Sequence, residues 1–350
     1  MSDTTTETAA GTDGNEDVAN RSEIVFLYDA EDTNPNGNPL SANDKPRIDE
    51  TTGAAVVTDV RLKRYLRDQL DDDGHGIYVK NPSKSAQEDV PGRDALFTRV
   101  TGLDPDTLKE LSGSEAATKF LTHAADVRYF GATCSFSSDF QNKLGDEFPG
   151  QFIGPVQFSH ARSLNTVVQK SESKQLSTVV ASDTDSDQGT FATDNRLEYA
   201  LIPFHGIVNE VGASDTLLSE ADVERLDTLL WRAVKNQTLT RSKMGHQPRL
   251  YLRVEYSTDA FHIGTLDDGV ELTQEKDDTE LRNITDTLLN VDELLDDLEA
   301  YAEHIESVTV TVDRHLEVEA GDETGGDEYL IEQLEAAVGS ESVVEVDPYA

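Results

Sequence analysis

The sequence predicts an α+β fold whose core runs strand–helix–strand–strand–helix–strand. Three observations predict it: a short apolar run at Ile24–Tyr28, two amphipathic stretches that each follow a good N-cap residue, and β-prone runs between and after them. Ile24-Val25-Phe26-Leu27-Tyr28 is continuous enough for a strand buried on both faces. Asn34-Pro35-Asn36-Gly37-Asn38-Pro39 cannot continue it, because its prolines lack a donor N–H and its Asn and Gly residues tolerate positive φ. Thr58 and Asp59 then open a helix that runs to Leu70. At about 100° per residue, Leu62, Tyr65, Leu66, Gln69 and Leu70 share one face. Lys63, Arg64 and Arg67 share the other, with Arg61 at its edge.

Beyond the helix, residues 71–126 are polar and Gly-punctuated, with helical pieces near Asp104–Leu111 and Ser114–Ala125. Val127–Phe136 and Phe152–Phe158 read as strands, the second carrying a bulge or edge feature at Gly154-Pro155. In 159–198, two β-prone runs, Leu164–Val168 and Leu176–Val180, flank the polar link Gln169–Gln175 and predict a projecting hairpin; the acidic stretch Ser182–Asn195 closes it. Tyr199–Val208 resumes a strand. Ser219 caps a second helix, with Asp222 in the capping-box position and Val223, Leu226, Leu229, Leu230, Ala233 and Val234 as its apolar stripe. A strand at Leu250–Tyr256, acidic helices at 278–304, a strand at Val308–Val312 and a short helix at Glu328–Ala337 complete the chain. With the insertions removed, the order is the split βαβ of the ferredoxin-like fold, the architecture of RNA-recognition domains.

Composition narrows the function. Across 350 residues, 69 Asp and Glu stand against 29 Lys and Arg, a net charge of −40, with 12 Lys to 17 Arg. Such acidity ordinarily argues against nucleic acid. Acid enrichment with scarce lysine also resembles proteins of organisms with molar cytoplasmic salt, where a Debye length of only ~3 Å lets surface charge act on little beyond its own solvation. What matters is where acids are missing. Arg232–Val254 holds six Lys and Arg plus His246 and no acid, whereas Gly321–Ala350 holds nine acids and no cation. One protected basic surface is therefore expected, with an alternative in which 232–254 is simply a core strand. No apolar run approaches the ~20 residues of a membrane span. The N-terminus reads as neither a signal nor a transit peptide. A single cysteine, Cys134, allows no internal disulfide or thiolate zinc site. A cytoplasmic protein is expected.

The loop Asn34–Pro39, Arg47-Ile48-Asp49, Thr52-Gly53 and Val57-Thr58-Asp59-Val60-Arg61-Leu62-Lys63-Arg64, followed in order by Asp126–Ala132 and Gly154-Pro155-Val156-Gln157, resemble the backbone subunit of type I CRISPR Cascade in its I-B branch. The similarity covers roughly residues 22–256. It implies a modified ferredoxin-like/RNA-recognition-motif core (22–70, 127–158, 199–256 and 305–318) with a helical insertion (71–126) and a β-hairpin thumb (159–198). Around these lie a disordered acidic tail (1–21), an acidic helical region (257–304) and an acidic C-terminal tail (319–350). It further implies copies packed head to tail along one guide RNA (crRNA), beside other Cascade subunits. Those copies would grip the guide backbone and leave its bases to pair with target DNA, without cutting and without a cofactor or metal.

By position, Thr58, Arg61, Lys63, Arg64 and Arg67, with Asn36, Lys45 and Arg47 from the preceding loop, would meet guide phosphates. His160 and Arg162 border the thumb, Lys170 and Lys174 sit near its end, and Arg241, Ser242 and Lys243 are the candidates in the acid-free segment. The family often has Asp where this chain has Asn38. Two competing readings stand beside this one. Asp59, Asp68 and Asp71 could pair with the basic helix at i+3 or i+4 spacing and make it a solvated face. Asp29, Asp32 or Asp44 could serve a ribonuclease of the same fold. Asp71-Asp72-Asp73-Gly74-His75 looks metal-like, but such runs arise freely in so acidic a chain.

Overall fold

The computed structural model describes residues 16–37, 44–80, 92–175, 191–239 and 243–350. Strand β1 (Ser22–Thr33) leads, through the Asn/Pro/Gly loop and β2 (Ala54–Val57), into helix α1 (Asp59–Asp72). Helices α2 (Arg93–Thr101), α3 (Gly113–His123) and α4 (Ala125–Phe130) follow. Next come β3 (Gly131–Thr133), α5 (Ser138–Leu144), β4 (Gln151–Ile153) and β5 (Val156–Phe158). Then β6 (Ala161–Thr166), β7 (Gln169–Gln175) and β8 (Phe191–Val208) precede α6 (Glu210–Thr216), α7 (Glu220–Lys235) and β9 (His246–Tyr256). The C-terminal part adds α8 (Asp292–Ala300), a strand at Ile305–Val312, α9 (Asp327–Val338) and a strand at Val343–Glu345.

The largest sheet places β1 at its centre, antiparallel to β8 on one side and β9 on the other. Beyond β8 lies β5, and beyond β9 lie Ile305–Val312 and then Val343–Glu345. Alternation along β1 sends Ile24, Phe26, Tyr28 and Ala30 into a core with Leu62, Leu66, Leu226 and Leu230 of α1 and α7. Val25 and Leu27 point the other way, into a second core with Leu250, Leu252, Leu294 and Leu334. The unbroken apolar run of β1 thus reflects a strand with helices on both sides. A third core, an aromatic cluster of Phe97, Phe120, Phe140, Phe148 and Phe152, belongs to the segment around α2–α5 and β4.

Several expectations are corrected. Val127–Phe136 is not one strand: residues 125–130 are helical and only 131–133 are extended. Tertiary contacts override the β propensity. Val127 and Tyr129 are fully buried, and Arg128 makes a two-pronged pair with Asp222 (2.8 and 2.9 Å) while donating to the Leu121 and Thr122 carbonyls. Gly131, at φ +70°, ends the helix, and a Cβ there would lie 2.2 Å from the Phe152 carbonyl oxygen, which only glycine avoids.

The hairpin is also built differently. The polar link itself is β7, pairing with β8 from Gln169↔Leu197 to Gln175↔Phe191. The first Leu/Val run contributes to β6, which pairs with β2. Leu176–Val180 lies outside the described residues. Residues 16–21 of the expected disordered tail dock against the start of α7, with Val18 buried and the Ala19 N–H donating to Glu220 (2.9 Å). Residues 257–304 hold one helix, α8, with short 3₁₀ turns rather than a helical region. Among the described residues no helix is long and apolar enough to cross a membrane.

One buried pair sets a pH dependence. The Glu23 carboxylate accepts from Tyr256 (2.7 Å) and the Gly264 amide (2.9 Å), and His205 Nε2 lies 2.7 Å away. Burial alone would raise this carboxyl, but its hydrogen bonds outweigh burial and hold it below its ordinary value. Burial likewise opposes the His205 cation, and the bond to Glu23, with Asp267 and Asp268 nearby, outweighs it and lifts the imidazole above its ordinary 6.5. The His205 contribution is therefore complete below pH 6.5 and lost as pH rises through the folded value. Glu23 acts oppositely, losing its contribution only in acid. The thermal midpoint should fall as pH climbs above 6.5, and His205→Gln should flatten that fall. An identical slope in the variant would remove the pair as its source.

Candidate nucleic-acid interface

Helix α1 begins where the sequence places it. Thr58 is the N-cap, its hydroxyl accepting from the Arg61 N–H (3.3 Å). The loop before it is fixed by its own polar atoms. The Gly37 N–H donates to the Asn34 carbonyl (2.9 Å), and the Asn36 side-chain amide to the Val56 carbonyl (2.5 Å). From α1, Arg61 donates to the Asn36 carbonyl (2.7 Å) and the Tyr65 hydroxyl to the Pro35 carbonyl (3.0 Å). The Arg47 segment is tied to β2 by the Val56 N–H on the Arg47 carbonyl (2.8 Å).

Together these contacts bring Asn36, Arg47, Thr58, Arg61, Arg64 and Arg67 around one open groove of about 380 Å³. Val60 and Val79 form its apolar wall. Arg64 pairs with Asp68 at i,i+4 (2.9 Å), the pairing the solvated-face reading anticipates, while Arg67 reaches the fully buried Asp126 (3.1 Å) and lies 5.1 Å from the Phe130 ring centre. Arg47 and Arg61 have no carboxylate partner among the described residues. The groove is therefore cationic in a strongly acidic chain, chiefly through those two.

Other proposed contacts lie elsewhere. Lys63 is turned from the groove and buried, donating to Gln157 (2.7 Å) beside Asp59 (3.3 Å), and burial lowers its amine against the pull of Asp59. His160 sits 3.2 Å from the same Asp59, and the exposed Arg162 3.8 Å from Asp49. Lys45 is exposed. Lys170 and Lys174 fall on β7, the Lys174 side chain outside the described part, and Arg241 and Ser242 also lie outside the described residues.

Lys243 corrects the reading of the acid-free segment, because it is only 4% exposed. Its amine donates to the carbonyls of Asn34 (2.5 Å) and Pro35 (2.8 Å). The neighbouring cations do likewise. Arg249 binds Asp29 and Asp313, Arg253 binds Asp227, Arg232 binds Asp73, and Lys235 donates to Gln247. The part of this segment on β9, 246–254, is a core strand whose two arginines find carboxylates in Asp29, Asp313 and Asp227 on other segments and Glu255 on β9 itself. For the described residues of that segment this agrees with the core-strand alternative; Arg241 and Ser242 lie outside them.

Sequence reasoning missed the two valines, Phe130 and Asp126. Val60 left a usable signal, an apolar residue on the cationic side of the first turn, and it is 68% exposed. Of the carboxylates available to a nuclease, Asp29 is buried against Arg249 and raised by that burial to about 6, and Asp32 is paired with Arg196. No group of three or more His, Cys, Asp or Glu is arranged to hold a metal among the described residues.

The CRISPR-associated protein Cas7 family model matches residues 20–292. A curated protein of Haloferax volcanii, CRISPR-associated protein Cas7, is 45% identical over 315 residues, covering 87% of this chain and 90% of that protein. The chain belongs to the CRISPR-associated Cas7 family. Two solved structures are also similar: one titled CRISPR RNA-guided surveillance complex, pre-nicking, with 14% identity, 91% of this chain and 100% of that chain covered, and a TM-score of 0.42. The other, titled CRISPR RNA-guided surveillance complex, has 13% identity, 83% and 88% coverage, and a TM-score of 0.41.

Proposed function

We propose that this chain is a non-catalytic backbone subunit of a type I-B Cascade complex. It holds guide RNA by the sugar-phosphate and, in repeated head-to-tail copies with other Cascade subunits, presents the bases to target DNA. Family membership supports the complex, and the groove carries the RNA contact. Residues 36, 47, 58, 61, 64 and 67 come from separate segments and converge on one cationic surface. The strand order β9-β1-β8-β5, antiparallel throughout with α1 and α7 as crossovers, supports a ferredoxin-like RNA-recognition core. The β7–β8 hairpin supports a thumb.

Phosphate contacts to a single strand lose roughly 0.7 log units of affinity per contact per decade of salt. One copy at molar salt would hold RNA weakly, and a long guide shared by packed copies restores affinity through effective concentration. Arg47→Glu combined with Arg64→Glu tests the groove, since Arg47 is exposed and the Arg64 guanidinium pairs with Asp68 on its own helix. The doubly substituted protein, purified with its complex, should retain at most a tenth of the wild-type guide RNA while melting within a few degrees of wild type. Equal RNA recovery would exclude the groove.

A further inference from the structure

We infer that Lys243 is a positioning residue for the groove: it holds the Asn34–Gly37 loop from beneath and does not itself meet RNA. The inference rests on the RNA-binding reading above. The Lys243 amine contacts two successive loop carbonyls, Asn34 at 2.5 Å and Pro35 at 2.8 Å. The Pro35 carbonyl also accepts from Tyr65, and the next one, Asn36, from the groove residue Arg61. Three consecutive carbonyls therefore meet donors of the protein, which fixes how the loop presents Asn36 to the groove.

The approach to β9 is built to deliver this amine. The Glu31 N–H donates to the Gly245 carbonyl (3.1 Å), and a Cβ on residue 245 would lie 2.0 Å from the Glu31 carbonyl oxygen. Only glycine lets the chain pass so close to the end of β1. His246 then packs against Tyr28 and Tyr65, ring centres 5.3 and 6.0 Å away, and Tyr65 is the residue whose hydroxyl meets the Pro35 carbonyl. Burial, with Arg61 adding to it and Asp44 opposing, pushes the Lys243 amine down to about 6. A neutral amine keeps two N–H groups, matching two carbonyl acceptors. A solvent-facing phosphate ligand would need neither this burial nor these partners.

Two measurements on the full chain with a long single-stranded RNA test this. In the first, affinity is followed against salt for wild type, Lys243→Met and Arg47→Ala. Lys243→Met should weaken binding about tenfold with the wild-type log–log slope, whereas Arg47→Ala should lower the slope by ~0.7, one phosphate contact. A slope lowered equally by Lys243→Met would mean a direct RNA contact and overturn the inference. In the second, hydrogen exchange of the free protein should show the Gly37 amide exchanging faster in Lys243→Met, with β1 protection unchanged. Unchanged Gly37 exchange would overturn the clamp even where affinity falls. Lys243→Gln, which keeps an NH₂ donor, should recover part of both effects and replaces Lys243→Met should that variant not fold. Absence of RNA binding by wild type would reject the functional reading, leaving the exchange result to judge the clamp alone.

Discussion

Asp227→Ala should lower the unfolding free energy by about 3–5 kcal/mol, measured as a shift in the urea midpoint at constant slope. Asp227 on α7 receives both prongs of Arg253, at 2.7 and 2.9 Å, and the Tyr251 hydroxyl at 2.6 Å. Arg253 is 5% exposed in the middle of β9, between β1 and Ile305–Val312, and cannot swing out to water. Truncating its partner strands a guanidinium that keeps only Ser22, Glu255 and Thr309, and leaves a buried phenol without an acceptor. The double replacement Asp227→Leu with Arg253→Met should recover the part of the loss due to the stranded guanidinium, because both charges go together, and leave the part due to the Tyr251 phenol, which still lacks its acceptor. A single variant within about 1 kcal/mol of wild type would show that the remaining partners suffice and that the pair does not hold α7 to the sheet.

What the sequence made legible follows from which signals are local. The N-caps Thr58 and Ser219 and the stripes behind them are local, and α1 and α7 begin at the next residue in both cases. Helix α4 was hidden because Val127, Tyr129 and Phe130 are β-prone, and what winds them is Arg128 meeting Asp222, 94 residues away. Strand β7 was hidden for the opposite reason, since Gln169–Gln175 has no apolar residue to give a period-two signal. In the candidate site, the loop and helix residues were legible as a basic surface, but orientation was not. Lys63 and Lys243 looked equivalent to Arg47 and Arg64 by charge. Their burial is decided by Gln157 on β5 and by the loop carbonyls, neither of which the cations' own neighbours reveal.

The second large effect lies under the groove itself. Asp126 is fully buried and accepts the Tyr78 N–H on one oxygen (2.8 Å), and the Val79 N–H (3.0 Å) and Arg67 Nε (3.1 Å) on the other. One carboxylate therefore fastens two walls of the groove, Val79 and Arg67, to each other. Asp126→Ala leaves two backbone donors without an acceptor, at about 1–3 kcal/mol each, and a loss of about 3–5 kcal/mol is expected once Arg67 is also released. Even the isosteric Asp126→Asn should be strongly destabilising. Its amide nitrogen would face at least one N–H donor wherever the single remaining oxygen is placed, Tyr78 at one position or Val79 and Arg67 at the other. Both variants should show accelerated exchange at the Tyr78 and Val79 amides, and RNA affinity should fall although no phosphate ligand has been removed. Full protection of those amides in Asp126→Asn would mean that the segment is held by something other than this carboxylate, and that the groove does not depend on it for its shape.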